Sequence, residues 1–356
     1  MHTNPKHDVR AISQQFALAG PLVSAEPYGS GHINDTYRVS CAGGQYILQR
    51  INHAVFKNPV AVMENIHRVT THLHAKLHNG AGRALTLVPT RAGQIYFRDA
   101  AGNYWRAYLF IDRAHTYDAV ERPQQAYQAA RAFGRFQQQL ADLPAPRLHD
   151  TIPDFHHTPK RFAALLAALG GDVAKRAALA KPEIDFALRR QALTPVLVEA
   201  GLPERITHND TKFNNVMLDD VTGEGMCVID LDTVMPGLVL YDFGDMVRTT
   251  TSPAKEDERD LAKVTLQLPM FEALVRGYLS TAGEFLTAAE RRHLVFAGML
   301  ITFEIGIRFL TDFLNGDTYF KTHRENHNLD RARTQFRLVE SIEQQTEAME
   351  RVVAAA

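Results

Sequence analysis

The chain has 356 residues, of which 45% are hydrophobic and 22% are charged. This length favours a two-lobed globular protein over one typical domain. Lys and Arg number 39 and Asp and Glu number 40, so the formal net charge of −1 gives no reason to expect nucleic acid as a partner. The polar start and short apolar runs predict neither a signal peptide nor a membrane span. Two distant cysteines are expected to stay reduced in a cytoplasmic protein.

The first third of the chain predicts a small mixed sheet of five strands with one helix inserted. Segments 36–41 and 45–51 are rich in β-branched and aromatic residues and are joined by Ala-Gly-Gly, a hairpin signal. A helix is predicted from Pro59 to about residue 78, because proline in the first turn loses no helical hydrogen bond. Three further strands are predicted near 85–90, 94–98 and 104–111.

The pattern becomes helical from about residue 123. Apolar residues then recur at helical spacing in segments 123–141, 160–198, 258–280, 287–314 and 328–353. A stretch dense in Asp, Asn, Gly and Thr, 203–250, interrupts these helices. The change of pattern predicts an α+β fold with an N-lobe of residues 1–113 and a helical C-lobe of residues 114–356.

The polar stretch contains the sequence His208-Asn-Asp-Thr-Lys-Phe-Asn-Asn, followed by two short apolar runs that flank a turn-rich loop. We expect the runs to pair as a hairpin with residue 217 opposite residue 228. That register would place Asn215 opposite Asp230, with Cα atoms about 5 Å apart. An amide oxygen and a carboxylate at this separation suit Mg²⁺, which takes its other ligands from phosphates and water.

Asp210 and Lys212 lie on the loop that leads into this hairpin. Asp210 could accept the proton of a hydroxyl group, a role worth about 10²–10⁴ in rate. Lys212 could neutralise charge on a transferring phosphoryl group, because that reaction needs chiefly positioning and charge neutralisation. Turns and caps would explain isolated Asp and Asn residues. They do not explain a base, a cation and two metal ligands in one short span.

The segment that begins at His208 resembles the His-x-Asp-x-Lys-x-x-Asn catalytic loop of the kinase superfamily. Its form is similar to that of aminoglycoside phosphotransferases and choline kinases, and Ile229-Asp230 resembles the second metal-binding signature. The resemblance implies a bilobal protein-kinase-like fold that uses ATP and Mg²⁺. Over residues 207–248 the chain also resembles N-acetylhexosamine 1-kinases, which implies an N-acetylhexosamine acceptor phosphorylated at its anomeric hydroxyl.

Two further aspartates in this region require separate interpretations. Asp242-Phe-Gly matches the letters of the protein-kinase magnesium motif, but it lies much farther from Asp210 than Asp230 does. We expect Asp242 to anchor the loop beneath the active site, as the resemblance implies. Asp232 could be a metal ligand, a sugar contact or a carboxylate behind the metal site.

The sequence Gly29-Ser-Gly-His-Ile-Asn lies between the first two strands, where a kinase places its phosphate-covering loop. We expect Gly29, Gly31 and Asn34 to contact phosphate, although a Gly-x-Gly hairpin turn is common in other proteins. The resemblance to hexosamine kinases implies that the tip of this loop, with His32 and Asp35, also faces the acceptor.

Kinases of this kind carry a lysine on the third strand, paired with a helix glutamate. This chain has no lysine there, and Arg50 with Glu64 is the best substitute pair; a surface arginine is the alternative. The strand 105–111 is expected to form the adenine-side wall.

The acceptor site is predicted in the last third of the chain. Arg308 lies on an otherwise apolar helix, where an unpaired cation would be costly. A salt bridge to Glu304, one turn earlier, would explain it. The resemblance implies instead that Arg308 binds the sugar and that Tyr319 lines the pocket, with Phe243 and Arg248 as further candidates. The alternative functions are a kinase whose acceptor is an aminoglycoside, choline, homoserine or another sugar, and a nucleotide-binding protein without turnover.

Overall fold

The computed structural model describes residues 7–29, 33–77 and 83–356 of the chain. The first part is a sheet with a long helix packed against it, and the larger second part is mainly helical. The predicted α+β class is therefore confirmed.

The strands are short and lie mostly in the first part of the chain. In chain order they are β1 Leu22–Pro27, β2 Asp35–Cys41, β3 Gly44–Ile51, β4 Leu87–Val88, β5 Phe97–Arg98, β6 Tyr104–Leu109, β7 Ala114–His115, β8 Arg205–Thr207, β9 Val216–Asp219, β10 Gly225–Val228 and β11 Met235–Gly237. The first six form one sheet in the order β1-β2-β3-β6-β4, with β5 also paired to β6.

The pairings of this sheet are all antiparallel in the described ranges, whereas the sequence suggested five strands in a mixed sheet. Strand β1 is the sixth member. Tight connections join β1, β2 and β3, and such connections produce antiparallel neighbours. Strand β6 inserts between β3 and β4, so the central strands come from distant parts of the N-lobe.

The helices account for most of the C-lobe. In chain order they are α1 Val9–Ser13, α2 Pro59–Lys76, α3 Pro123–Leu140, α4 Thr158–Gly171, α5 Lys181–Leu188, α6 Val196–Glu199, α7 Val239–Thr250, α8 Leu268–Ala282, α9 Ala288–Arg292, α10 Leu294–Leu314 and α11 His327–Ala355. Helix α2 begins at the predicted proline, and the Asn58 side chain caps it by accepting from the Ala61 N–H at 3.2 Å.

Two predicted helices are shorter in the structure. The segment predicted as one helix over 160–198 is divided into α4, α5 and α6, because α4 ends at Asp172 in a left-handed conformation with φ 34°. The helix predicted from residue 258 begins only at Leu268, with a proline in its first turn. Proline is tolerated there but not inside a helix, which explains the late start.

Helix α10 is the central helix of the C-lobe core. Among the described residues it is the one helix long and apolar enough to cross a membrane by length and composition, and 83% of its apolar stretch is buried inside the protein. Close packing against α7 requires small residues, since a Cβ added at Gly244 would lie 2.5 Å from the Ala297 carbonyl oxygen. Burial in the core therefore accounts for its apolar composition.

The hairpin β9–β10 has a different register from the predicted one. Met217 pairs with Cys227 rather than residue 228, because an irregularity in β10 takes up one residue. Asn215 consequently does not face Asp230 across the ladder; its carbonyl oxygen accepts the Ile229 N–H at 2.9 Å. The chain then turns at Asp230, which has a left-handed φ of 58°.

Candidate active site

A cleft of about 510 Å³ opens between the sheet and the polar segment of the C-lobe, a volume typical of small-molecule sites. Its walls include side chains from both sides: Gln49 and Arg106 from the sheet, and Asp210, Lys212, Asn215 and Asp230 from the C-lobe. The base, the cation and the metal ligands predicted from the sequence therefore line one cleft.

The loop that carries Asp210 is held from below by Asp242. The buried Asp242 carboxylate accepts the N–H groups of His208 at 2.9 Å and Asn209 at 2.7 Å, and the Gln137 amide at 2.7 Å. Burial raises the pKa of Asp242, although these donors and the nearby His208 partly oppose the shift. Asp242 thus anchors the loop, as the sequence predicted.

The residue before the predicted base has an uncommon backbone conformation. Asn209 lies in the left-handed region with φ 64°, which Asn tolerates better than most residues. Its side chain donates to the Thr233 carbonyl oxygen at 2.9 Å and accepts from the Thr207 hydroxyl at 3.0 Å. These contacts hold the turn that directs Asp210 into the cleft.

The Asp210 carboxylate is oriented by two neighbours. Lys212 Nζ lies 2.9 Å from Oδ1, and the Asn215 amide donates to Oδ2 at 3.2 Å and to the Asp210 carbonyl oxygen at 2.8 Å. Burial tends to raise the pKa of Asp210, but the charge and hydrogen bond of Lys212, with the charges of His208 and Arg248, together outweigh burial and lower the pKa below the usual value. With 26% of the side chain exposed, Asp210 is a charged and accessible base.

Asp230 lines the same cleft, and none of the described residues donates a hydrogen bond to its carboxylate. Loss of water in the cleft and the negative charges of Asp232 and Asp210 raise the pKa of Asp230 to about 6. Asn215 uses its amide N–H group on Asp210, which leaves its oxygen available. A divalent cation beside these oxygens would relieve the repulsion, so the pair fits Mg²⁺.

The described residues contain no group of three or more His, Cys, Asp or Glu side chains that could enclose a metal ion. A site formed by one carboxylate and one amide oxygen is therefore incomplete. Magnesium sites in proteins are often of this kind, since the ion keeps several waters and takes oxygens from substrate phosphates.

An arginine that the sequence analysis missed occupies the sheet wall. Arg106 is buried, and both of its terminal nitrogens donate to Asp232, one of them at 3.0 Å, while its Nε donates to Gln49 at 2.9 Å. Asn34, at the end of the glycine-containing loop, donates to the same carboxylate at 2.6 Å. Asp232 therefore joins the sheet, this loop and the C-lobe, and its oxygens are already engaged.

The comparisons with known proteins agree with this arrangement. The sequence model of the APH phosphotransferase enzyme family matches residues 24–278, which is most of the chain. The chain belongs to this phosphotransferase family.

Solved structures show the same fold at low identity. An aminoglycoside phosphotransferase from Alicyclobacillus acidocaldarius is 13% identical, with a TM-score of 0.65 over 98% of this chain and 96% of that one. A microcompartment-associated aminopropanol kinase is 17% identical, with a TM-score of 0.58 over 96% and 97%. A spectinomycin phosphotransferase solved with ADP and spectinomycin is 12% identical, with a TM-score of 0.59 over 92% and 94%. The predicted bilobal kinase-like fold is confirmed.

This phosphotransferase does not form the predicted Arg50–Glu64 pair. Arg50 pairs with Asp35 at 2.5 Å, and Glu64 contacts His149 at 2.7 Å. Successive strand residues point to opposite faces, and Gln49 faces the cleft, so Arg50 points to the outer face. The cation on the sheet side of the cleft is instead Arg106, directly opposite Gln49 on β6.

The predicted loop residues have different outcomes. Gly29 and Asn34 line the cleft, and Gly29 has a φ of 80° that favours glycine. Gly31 and His32 lie outside the described residues. Asp35 was expected to face the acceptor, but its carboxylate pairs with Arg50 on the outer face of the sheet.

In the part of the C-lobe where the sequence predicted the acceptor site, the expected salt bridge between Arg308 and Glu304 is not formed. The buried Glu304 carboxylate contacts His156 at 2.8 Å and Thr158 at 2.6 Å. The Arg308 guanidinium lies over the rings of Phe155 and Phe320, at 4.9 and 5.9 Å from their centroids.

The other residues predicted to contact the acceptor differ in their exposure and in their contacts. Tyr319 is 61% exposed, with its ring against Phe320. Phe243 is fully buried in the core and cannot touch a ligand. Arg248 is also buried, and it forms ion pairs with Asp245 at 2.9 Å and with Glu256 at 3.0 Å.

Proposed function

We propose that this phosphotransferase is an ATP- and magnesium-dependent kinase that phosphorylates the anomeric hydroxyl of an N-acetylhexosamine. One observation carries the proposal. The carboxylate of Asp210, oriented by Lys212 and Asn215, opens onto the same cleft as the unpartnered carboxylate of Asp230. A base beside a metal-binding carboxylate is the arrangement that phosphoryl transfer to a hydroxyl requires.

In the proposed reaction, Asp210 accepts a hydrogen bond from the acceptor hydroxyl and orients its oxygen toward the γ-phosphorus of ATP. A bond forms between that oxygen and phosphorus while the bond to the β-phosphate oxygen breaks, and ADP leaves. The low pKa of Asp210 means that the hydroxyl proton passes to it late, as a loose transition state requires. Lys212 then neutralises negative charge on the transferring group.

Asn215 and Asp230 would hold the magnesium ion. When bound, the ion neutralises charge on the ATP phosphates. Arg106 and Asn34 on the opposite wall support a nucleotide in the cleft, since both lie beside the glycine-containing loop. The ADP found with the spectinomycin phosphotransferase supports ATP as donor.

The choice of a sugar acceptor rests on charge. Choline, aminopropanol or an aminoglycoside is cationic and calls for acidic side chains at its site. Arg308 instead adds a positive charge to the predicted acceptor site, and it has no acidic partner among the described residues. An uncharged sugar hydroxyl is compatible with this arginine, and its C–H face suits the neighbouring aromatic rings.

ATP consumption measured against N-acetylhexosamines, hexoses and amino alcohols tests the proposal. We expect turnover with at least one N-acetylhexosamine and the appearance of phosphate on C1 of the product. Asp210→Asn is the matched control, and it should bind ATP but lose nearly all turnover. Turnover only with amino alcohols would refute the acceptor class, and no Mg²⁺-dependent turnover with any acceptor would support a nucleotide-binding protein without activity.

A further inference from the structure

Two arginines from different helices contact one aromatic ring in the region of the predicted acceptor site. Arg161 of α4 and Arg308 of α10 lie 6.0 and 4.9 Å from the centroid of the Phe155 ring. Both side chains are half-buried. Two like charges are thus held close together in a place with reduced access to water.

Neither arginine has an acidic partner within the described residues. Arg161 donates its Nε and one terminal nitrogen to the Phe155 carbonyl oxygen, at 3.0 and 2.8 Å. Within the described ranges Arg308 has no hydrogen bond or ion pair, and its guanidinium lies against the two rings. The nearby acids are engaged elsewhere, since Glu304 contacts His156 and Asp154 pairs with Lys160 at 2.7 Å.

Two neighbouring half-buried arginines are unfavourable unless a negative charge compensates for their repulsion and lost hydration. Burial, and after it the positive charge of Arg308, lower the pKa of Arg161. Contacts with aromatic faces compensate for only part of the hydration free energy that a guanidinium group loses on burial. Several N–H groups of the pair therefore remain available, in the fork geometry that binds carboxylate and phosphate oxygens.

The surroundings of the pair are held in place by buried contacts. Asp312 accepts the N–H groups of Tyr319 at 2.8 Å and Phe320 at 2.9 Å, which fixes the second ring beside Arg308. Because the rings are fixed, the guanidinium groups do not need to be ordered when a ligand binds. Preorganisation of this kind lowers the entropic cost of binding.

The pair is connected to the catalytic loop through the residue next to Phe155. His156 contacts the carbonyl oxygen of Asn209 at 3.1 Å, and Asn209 immediately precedes the base Asp210. The two arginines do not line the 510 Å³ cleft itself. They would therefore contact the end of an acceptor that lies farthest from the reacting hydroxyl.

We infer that Arg161 and Arg308 form a binding site for an anionic group, a carboxylate or a phosphate ester, carried by the acceptor sugar. This inference rests on the proposed function and narrows it to an acidic derivative of an N-acetylhexosamine. The anion would supply the missing counter-charge, and Phe155 and Phe320 would provide the apolar walls beside it.

The test compares three acceptors that share one ring: N-acetylglucosamine, its 3-O-carboxyalkyl ether and its 6-phosphate. Initial rates give kcat/KM, and calorimetry gives binding without turnover. Both are measured for wild type, Arg161→Gln and Arg308→Gln. Arg276→Gln is the matched control. Arg276 is an exposed residue of α8 that pairs with Glu272, so the substitution removes one positive charge at a distant surface position. Arg161→Lys and Arg308→Lys, with melting temperatures, separate loss of charge from loss of fold.

We expect wild type to favour one acidic sugar by about tenfold or more in kcat/KM, as charge-assisted hydrogen bonds allow. Either glutamine variant should abolish this preference by lowering kcat/KM for the acidic sugar far more than for the neutral sugar, and the control should keep the preference. Whether the ether or the phosphate is favoured distinguishes the two anions. Equal use of neutral and acidic sugars, or a preference that survives both substitutions, overturns the inference but leaves the proposed function intact. Arginine-dependent binding of an acidic sugar without phosphorylation would refute the proposed function and support the anion site.

Discussion

Arg106 and Asp232 form a buried ion pair that joins the sheet to the C-lobe, with only 1% and 2% of their side chains exposed. Arg106 lies on β6, whereas Asp232 follows the β9–β10 hairpin. Asn34 adds a third contact to the same carboxylate at 2.6 Å. The relative position of the two walls of the cleft therefore depends on one aspartate.

Removal of one partner should destabilise the protein strongly. Arg106→Met is expected to lower the free energy of unfolding by about 3–5 kcal/mol, because it leaves the buried charge of Asp232 without its counter-charge. The double variant Arg106→Met with Asp232→Leu should lose less than the sum of the single variants. Urea unfolding measures all three.

Arg276→Met is the matched control for this comparison. Its side chain is 66% exposed, and its pair with Glu272 should contribute no more than about 1 kcal/mol. If Arg106→Met cost no more than this control, the pair between the sheet and the C-lobe would not hold the walls together.

The candidate catalytic residues could be grouped from the sequence because they are close together in it. Asp210, Lys212 and Asn215 lie on one loop, and Asp230 follows a short hairpin, so their spacing alone brings them together. The register of that hairpin was wrong by one residue, because spacing does not reveal an irregularity within a strand. The four side chains nevertheless line one cleft, since their placement depends on the ends of the hairpin and not on its exact pairing.

Arg106 could not be assigned in the same way. It contacts Asp232, which lies 126 positions later in the chain, and only the fold brings the two together. One signal was present: an arginine beside Trp105 in an otherwise apolar strand. Strand alternation could also have corrected Arg50, because Gln49 and Arg50 cannot both face the cleft.

The stability of the protein without metal should depend on pH through Asp230. Its folded pKa of about 6 lies above the ordinary value of 3.8, so the folded state binds this proton more tightly. The contribution of Asp230 to stability is therefore present at low pH and is lost as the pH rises through 6. Asp230→Asn should raise the melting temperature near pH 8 and leave it unchanged near pH 4.

A magnesium titration extends this experiment. Mg²⁺ should stabilise wild type near pH 8 and have little effect on Asp230→Asn, because the ion needs the carboxylate. Glu347→Gln is the control for charge removal, since that side chain is 91% exposed. A melting temperature for Asp230→Asn that differs from wild type equally at both pH values would argue against repulsion at this site.

Asp242→Asn should test how far catalysis by Asp210 depends on the anchoring of its loop. The Asp242 carboxylate accepts three N–H groups, and an amide offers one oxygen in their place. We expect a loss of about 1–3 kcal/mol in the free energy of unfolding, as for an unsatisfied buried donor. Turnover should fall because Asp210 is no longer held, while the KM for ATP changes little. An unchanged kcat in a correctly folded variant would contradict the anchoring role.

Lysine substitutions at Arg106 and Arg50 should identify which arginine supports the nucleotide. Lysine keeps the charge but cannot bridge Gln49 and Asp232 as the guanidinium group does, so Arg106→Lys should raise the KM for ATP about tenfold. Arg50→Lys should change it less than about twofold, because that side chain lies on the outer face with Asp35 and alters no group in the cleft. Initial rates at varied ATP and saturating acceptor provide both constants, and melting temperatures show that each variant is folded. The opposite order of effects would mean that the nucleotide depends on Arg50, as the sequence first suggested.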